Sequence, residues 1–344
     1  MSNHRAQKEH IKDKEQICFL NYDLKNDFEK FDDKKNNPLQ FPNQLYVEVE
    51  KIIPLSELNF DNNSDNYTLI NLQQTVSKEQ YIQSINAIKK HIQAGDIYEI
   101  NYCITFEAFD VAISPVEIYK KLNTISAASY SALAKLNHQY IICSSPELYL
   151  SKRGSRLITK PIKGTAKRGK VKEDDVIIRQ ELQSNLKERT ENVMIVDVAR
   201  NDLSRVAARG SVSVNKLYDI ESYQQVHQMV STVACEIKEK IVFSDIIQAT
   251  FPMASMTGAP KIRAMQLIDE FELYNRGPYS GALGYIHKNN DFDLNVLIRS
   301  IFYDEEKQYL SFTVGSAITS LCNAEDEYDE CLLKAKAMIT VLNN

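Results

Sequence analysis

The spacing of apolar and polar positions changes period several times along this chain, and each change marks an element. Ile17–Tyr22 reads as a strand. So does Leu45–Ile53, where apolar and acidic residues alternate, the period-two pattern of a half-buried strand. Residues 1–16 are polar and expected to be disordered or frayed. Asp23–Asn43 and Asn59–Asn66 are crowded with Asn, Asp and Lys and are expected to be loops. The period then lengthens. Tyr81, Ile82, Ile85, Ile88 and Ile92 recur at helical spacing, which predicts a helix over Lys78–Ala94. Ser77-x-x-Gln80 resembles a capping box, and Gly95 is a stop.

Ile97–Phe109 returns to a β-like pattern. Ser114-Pro115-x-Glu117 opens a second helix. Several strands are expected between Tyr130 and Ile162, then a long helical stretch over Glu173–Ala208 broken once. After mixed structure come a helix near Lys261–Phe271 and strands near Gly281–His287, Leu294–Tyr303 and Tyr309–Thr319. A last helix spans Glu325–Leu342. Strands come in runs, and so do some helices. That predicts an α+β fold with largely antiparallel sheets rather than regular βαβ winding. One large domain, residues 75–344, is expected to follow a short N-terminal portion, residues 1–74, that is partly disordered or incomplete.

Composition narrows the function classes. Apolar residues make up 43% and charged residues 25%, with a net charge of −5, which fits a soluble globular protein and argues against a general nucleic-acid binder. No signal peptide or apolar run of membrane-spanning length is visible, so a cytoplasmic location is expected. The cysteines at 18, 103, 143, 235, 322 and 331 form no C-x-x-C pair and read as reduced, buried thiols. The histidines make no zinc pattern. No cysteine sits in a G-x-C-x-G elbow, so no thiol nucleophile is apparent.

Lys163, in Lys160-Pro-Ile-Lys-Gly-Thr165, is the sharpest chemical candidate. A lysine enclosed among carboxylates can be a nucleophile rather than a solubilising charge. Glu188 with Glu191, and Glu327 with Glu330, are acidic pairs at i,i+3 on predicted helices. Facing each other, two such pairs make an oxygen-rich site suited to Mg²⁺; apart, they are two solvated faces. Without a cation, like charges about 4 Å apart repel by ~4 kcal/mol at an effective dielectric near 20. Gly164–Lys170 nearly matches a phosphate-binding loop, but Val171 stands where the metal-binding hydroxyl belongs, and the acidic run after it would repel a triphosphate. Thr257-Gly-Ala-Pro-Lys261 makes a tight entry to a helix whose N–H groups could meet an anion. Arg299 lies in an apolar strand and needs a carboxylate or an anionic ligand.

Taken together, Ser145-Pro-Glu-Leu148, Lys160–Thr165, Glu188–Asp202, Met229-Val-Ser-Thr232, Phe251–Lys261, Arg276–Tyr285 and Asn295–Ile301 resemble the chorismate-utilising enzymes. These are the large subunits of anthranilate and aminodeoxychorismate synthases, and the isochorismate and salicylate synthases. The resemblance covers residues 75–342. It implies large antiparallel sheets packed as a sandwich, helices outside and the active site between the sheets, as in anthranilate synthase component I. Within the family, a lysine at position 163 marks the aminodeoxychorismate branch, and Glu99-x-Asn101 looks like that branch too. Isochorismate and salicylate synthases place a water-activating lysine where Glu99 stands.

The resemblance implies that chorismate and ammonia give 4-amino-4-deoxychorismate, on the way to 4-aminobenzoate and folate. Lys163 would attack C2 of the ring while Glu147, as general acid, protonates the departing C4 hydroxyl; ammonia would then add at C4 and expel the lysine. Mg²⁺ at Glu191 and Glu330, supported by Glu188 and Glu327, would hold the ring carboxylate. Arg299, Tyr279, Lys334, Gly164, Thr165 and Ala317 would contact the substrate. At an ordinary lysine pKa only about 1 in 2,500 copies is neutral at pH 7, so the cation is expected to be required before the amine is competent. Gln228 stands where most of the family has histidine, with His227 one place earlier. Ammonia is expected from solution or from a separate glutaminase subunit in a heterodimer. The nearest alternative is anthranilate synthase component I. A non-catalytic chorismate-binding subunit and a P-loop hydrolase are more distant.

Overall fold

A computed structural model describes residues 14–31, 37–54, 57, 70–223 and 226–343. Among them, two antiparallel sheets dominate, of nine and seven strands. The nine-stranded sheet runs Ser213–Ser222, Val226–Glu236, Arg156–Lys160, Leu148–Arg153, Phe292–Asn295, Ala282–Ile286, Gln16–Leu20 and Gln44–Glu48, and Ile162–Lys167 pairs separately with Val226–Glu236. The seven-stranded sheet runs Gly258–Ala259, Glu99–Ala108, Tyr309–Thr319, Ser300–Asp304, Gln139–Ser145 and Tyr130–Leu136, with Gln73–Gln74 beside Glu99–Ala108. The α+β expectation with antiparallel sheets holds.

Side-chain alternation explains why the sheets stack. Successive residues of a strand point to opposite faces. On the seven-stranded sheet, Cys103, Ile141, Cys143 and Phe302 enter one core, together with Phe19, Leu150, Val233, Phe292 and Leu294 of the nine-stranded sheet. Their neighbours Tyr102, Ile104, Ile142, Ile301 and Tyr303 point the other way into a second core. Helices Lys78–Gln93, Pro115–Ser126, Lys261–Phe271 and Ala324–Leu342 cover that second face. Tyr81, Ile85 and Ile88 of the first of these helices are fully buried, each worth about 1.5–3 kcal/mol of burial.

The helix predicted over Lys78–Ala94 spans Lys78–Gln93, and both hydrogen bonds of its capping box form between Ser77 and Gln80. The long helical stretch is two helices, Lys172–Ser184 and Leu186–Val206, and Asn185 both ends the first and caps the second. Three expectations are corrected. The run Leu294–Tyr303 is two strands, Phe292–Asn295 and Ser300–Asp304, because the chain turns between them and Arg299 adopts φ +50°. The segment Asp23–Asn43 holds a short helix, Lys25–Phe28, entered through a 3₁₀ turn whose Asn21 side chain accepts from the Asp23 N–H. Gln16, placed with the frayed start, begins a strand paired to Ala282–Ile286. Residues 1–13 and 59–66 lie outside the described residues. All six cysteines are free and buried, as expected. No described helix is long and apolar enough to cross a membrane.

Candidate active site

Lys163 stands on Ile162–Lys167, which pairs with Val226–Glu236. Its ammonium crosses to the other sheet and donates to Glu99 Oε1 at 2.8 Å. Lys163 therefore marks the space between the sheets, where the resemblance puts the chemistry. Burial pulls its pKa down, but Glu99, Glu191 and Glu330 outweigh that and hold it above the ordinary lysine range. Among these carboxylates alone, the amine stays charged.

Glu147 lies on the link between Gln139–Ser145 of one sheet and Leu148–Arg153 of the other. It is 5% exposed, and Ser255 Oγ donates to its Oε1 at 2.6 Å. Burial pushes its carboxyl up to about 7, opposed by the Ser255 hydrogen bond and by Lys163 and Arg299. A carboxyl poised there can hold a proton at neutral pH and give it up, as a general acid must. Arg299 makes no ion pair or hydrogen bond through its guanidinium among the described residues. Glu147 acts on it only at longer range, and burial lowers its pKa. The internal ion pair open to it in the sequence does not form, leaving a cation suited to an incoming anion.

The acidic pairs do converge. Glu188 and Glu191 come from helix Leu186–Val206, Glu327 and Glu330 from helix Ala324–Leu342. Burial raises the pKa of Glu188, and Glu330 raises it further. Burial brings Glu191 up to about 8 against the pull of Lys163. Lys334 reaches Glu330 at 2.7 Å and the Gly315 carbonyl at 2.8 Å. Gly164 has φ +83°, and a Cβ there would meet Glu188 Oε2 at 3.0 Å and Leu182 Cδ1 at 3.1 Å. Glycine is needed both for the left-handed backbone and for that approach.

Among the described residues, no three acidic, histidine or cysteine groups form a ready-made metal cluster. The donor set nevertheless fits Mg²⁺, a hard cation that takes carboxylate oxygens. Buried Glu191 Oε1 and Glu327 Oε2 have no hydrogen-bond partner, and desolvated carboxylate oxygens without donors are costly unless a cation meets them. The ammonium of Lys187 stands beside these carboxylates, 2.7 Å from Glu327 Oε1.

The other candidates are placed as follows. Thr165 is exposed beside Gln228 in the strand pairing. Ala317 is 6% exposed on Tyr309–Thr319, opposite Asn101. Tyr279 is buried in the core between the sheets, and its hydroxyl meets the Cys103 thiol at 3.8 Å. His227 is engaged by Asp175 at 3.0 Å and Ser222 at 2.8 Å, whereas Gln228 Oε1 is buried without a partner. The near-match to a phosphate loop is filled by its own chain: the Gly169 N–H donates to Asp175, which Arg168 clamps through two bonds of 2.7 Å. Lys261 is a structural clamp, donating to Asp202 at 2.6 Å and to the Thr250 and Pro252 carbonyls.

Sequence reasoning gave no role to three residues that touch this site. Glu99 served only as a branch marker. Ser255 lay inside a quoted motif without a task. Lys187 looks like a surface residue beside Glu188.

A family model for chorismate binding enzymes matches residues 2–340. The chain belongs to that family. It is 39% identical over 262 residues to aminodeoxychorismate synthase component 1 of Bacillus subtilis (strain 168), covering 76% of this chain and 55% of the relative. It is 34% identical over 285 residues to anthranilate synthase alpha subunit 2 of Arabidopsis thaliana, covering 78% of this chain and 46% of the relative. The chain thus spans about half the length of these relatives. Its fold is that of the crystal structure of anthranilate synthase component I from Streptococcus pneumoniae TIGR4, with a TM-score of 0.83 and 24% identity, covering 97% of this chain and 83% of that one.

Proposed function

We propose that this chorismate-binding enzyme is an aminodeoxychorismate synthase component I, turning chorismate and ammonia into 4-amino-4-deoxychorismate on the way to 4-aminobenzoate and folate. The observation that carries the reading is Lys163, enclosed between the sheets and electrostatically coupled to the general-acid candidate Glu147.

The residues divide the work. Arg299, without a carboxylate of its own, takes a carboxylate of the substrate. Glu99, already bonded to the ammonium and with its second oxygen unpartnered, takes the proton that Lys163 must lose. The free amine forms a bond to ring C2, both conjugated ring double bonds shift by one position, and the C4–O bond breaks. Glu147 gives its proton to the leaving hydroxyl, which departs as water. Ammonia then adds at C4, both double bonds shift back, and the C2–N bond breaks to release Lys163, which takes its proton back from Glu99. A proton passes from the new ammonium to Glu147, restoring the acid. Mg²⁺, held by Glu191 and Glu330 with Glu188 and Glu327 in support, would supply positive charge for the ring carboxylate and offset the negative charge that keeps Lys163 protonated.

Ammonia is supplied in this reading by a glutaminase subunit in a heterodimer, in the cytoplasm. Glutamine should support turnover when such a subunit is added, whereas ammonium should suffice without it. The deciding experiment incubates the chain with chorismate, Mg²⁺ and ammonium and separates the products by chromatography. Aminodeoxychorismate supports the reading. A fluorescent aromatic product with pyruvate would instead assign anthranilate synthesis.

A further inference from the structure

Lys187 occupies the centre of the carboxylate cluster. Its ammonium is 2.7 Å from Glu327 Oε1, 3.8 Å from Glu330 Oε2 and 3.9 Å from Glu191 Oε1. Glu191 and Glu327 are 5% and 1% exposed, and each has one oxygen without a hydrogen-bond partner. The lysine side chain itself is 39% exposed, so its flexible stem has a way out to solvent.

We propose that Lys187 is a tethered cation that holds the carboxylates together in the metal-free protein and is displaced when a divalent cation binds between the two helices. The proposal rests on reading the cluster as a Mg²⁺ site. Magnesium needs oxygen ligands at about 2.1 Å around its own centre. An ammonium lodged among the same oxygens excludes it. Without either cation, the acidic pairs on Leu186–Val206 and Ala324–Leu342 repel, and the helices lose the bridge between them. One cation therefore serves the empty state and another the loaded state. Binding is an exchange, and its apparent affinity is reduced by the cost of removing the lysine.

Lys187→Met keeps the aliphatic stem and removes the charge. Titration calorimetry of Mg²⁺ into chelator-treated wild type and variant reads the exchange. The variant should bind about tenfold more tightly, the equivalent of one charged hydrogen bond no longer broken. The metal-free variant should melt below wild type, and saturating Mg²⁺ should narrow the gap. A second measurement needs only the wild type: the yield of acetylated Lys187, read by peptide mass mapping after brief acetic anhydride labelling, should rise when Mg²⁺ is added. Equal or weaker binding by the variant, or unchanged labelling, while the wild type binds Mg²⁺, overturns the exchange and leaves the metal site standing. No binding heat and no Mg²⁺-dependent melting shift in either protein overturns the metal site and the proposal together.

Discussion

Lys163 Nζ and Glu99 Oε1 stand 2.8 Å apart, one on each sheet. The bond joins the proposed nucleophile to the group best placed to deprotonate it. It also sets a conflict: a carboxylate that can accept the proton also stabilises the charged amine.

Glu99→Gln removes both effects. With its carboxylate gone, the Lys163 pKa falls, so the limb of the pH–rate profile on which activity rises with pH should move to lower pH. At the same time kcat should drop by about 10²–10⁴-fold, the usual worth of a general base. An unmoved limb with unchanged kcat, measured with ammonium as nitrogen donor, would remove Glu99 from the chemistry.

Glu147 predicts the opposite limb. Its carboxyl is raised to about 7 by burial, so the acid is present below that pH and activity should fall above it. Glu147→Gln should abolish the step. Ser255 holds the charged form down through its 2.6 Å hydrogen bond, so Ser255→Ala should move the falling limb to higher pH. Stability follows the same group. Its folded pKa is raised, so its contribution is fully present below the ordinary 4.5 and lost as pH rises through about 7, a change of about 3 kcal/mol at 1.36 kcal/mol per pKa unit. Denaturant melts across that window should show this slope in wild type and lose it in Glu147→Gln.

Lys261 separates structural from catalytic lysines. Burial lowers its pKa, but Asp202 and two carbonyls hold its ammonium. Lys261→Met leaves Asp202 buried without its cation and should cost about 3 kcal/mol of stability. Lys163→Ala strands Glu99, which is 1% exposed, and should cost a comparable amount, so the two lysines are separated by turnover, which Lys163→Ala abolishes at temperatures where both variants are folded. Paired urea titrations and activity assays check both.

Much of this was legible in the sequence, for physical reasons. Helix Lys78–Gln93 declares itself through one apolar stripe and a local cap. The acidic pairs announce their faces because helical spacing is fixed. The break within Leu294–Tyr303 was hidden, since a run buried on both faces has no alternation to interrupt. Lys187 was hidden for a different reason. In sequence it is an ordinary i,i+4 partner of Glu191, and its role arises only when helix Ala324–Leu342 packs opposite. Ser255 gains its role the same way, by meeting Glu147 from a 3₁₀ turn, Ala254–Met256, distant in sequence.

The central claim is that Lys163 becomes covalently bonded to the ring. Acid quench during turnover with chorismate and Mg²⁺, with ammonium withheld, followed by peptide mass spectrometry, tests it most directly. The account predicts a mass increase on the peptide carrying Lys163 equal to chorismate less one water, absent in Lys163→Ala and discharged when ammonium is added. An unmodified Lys163 throughout, in a preparation that turns over once ammonium is supplied, would contradict it.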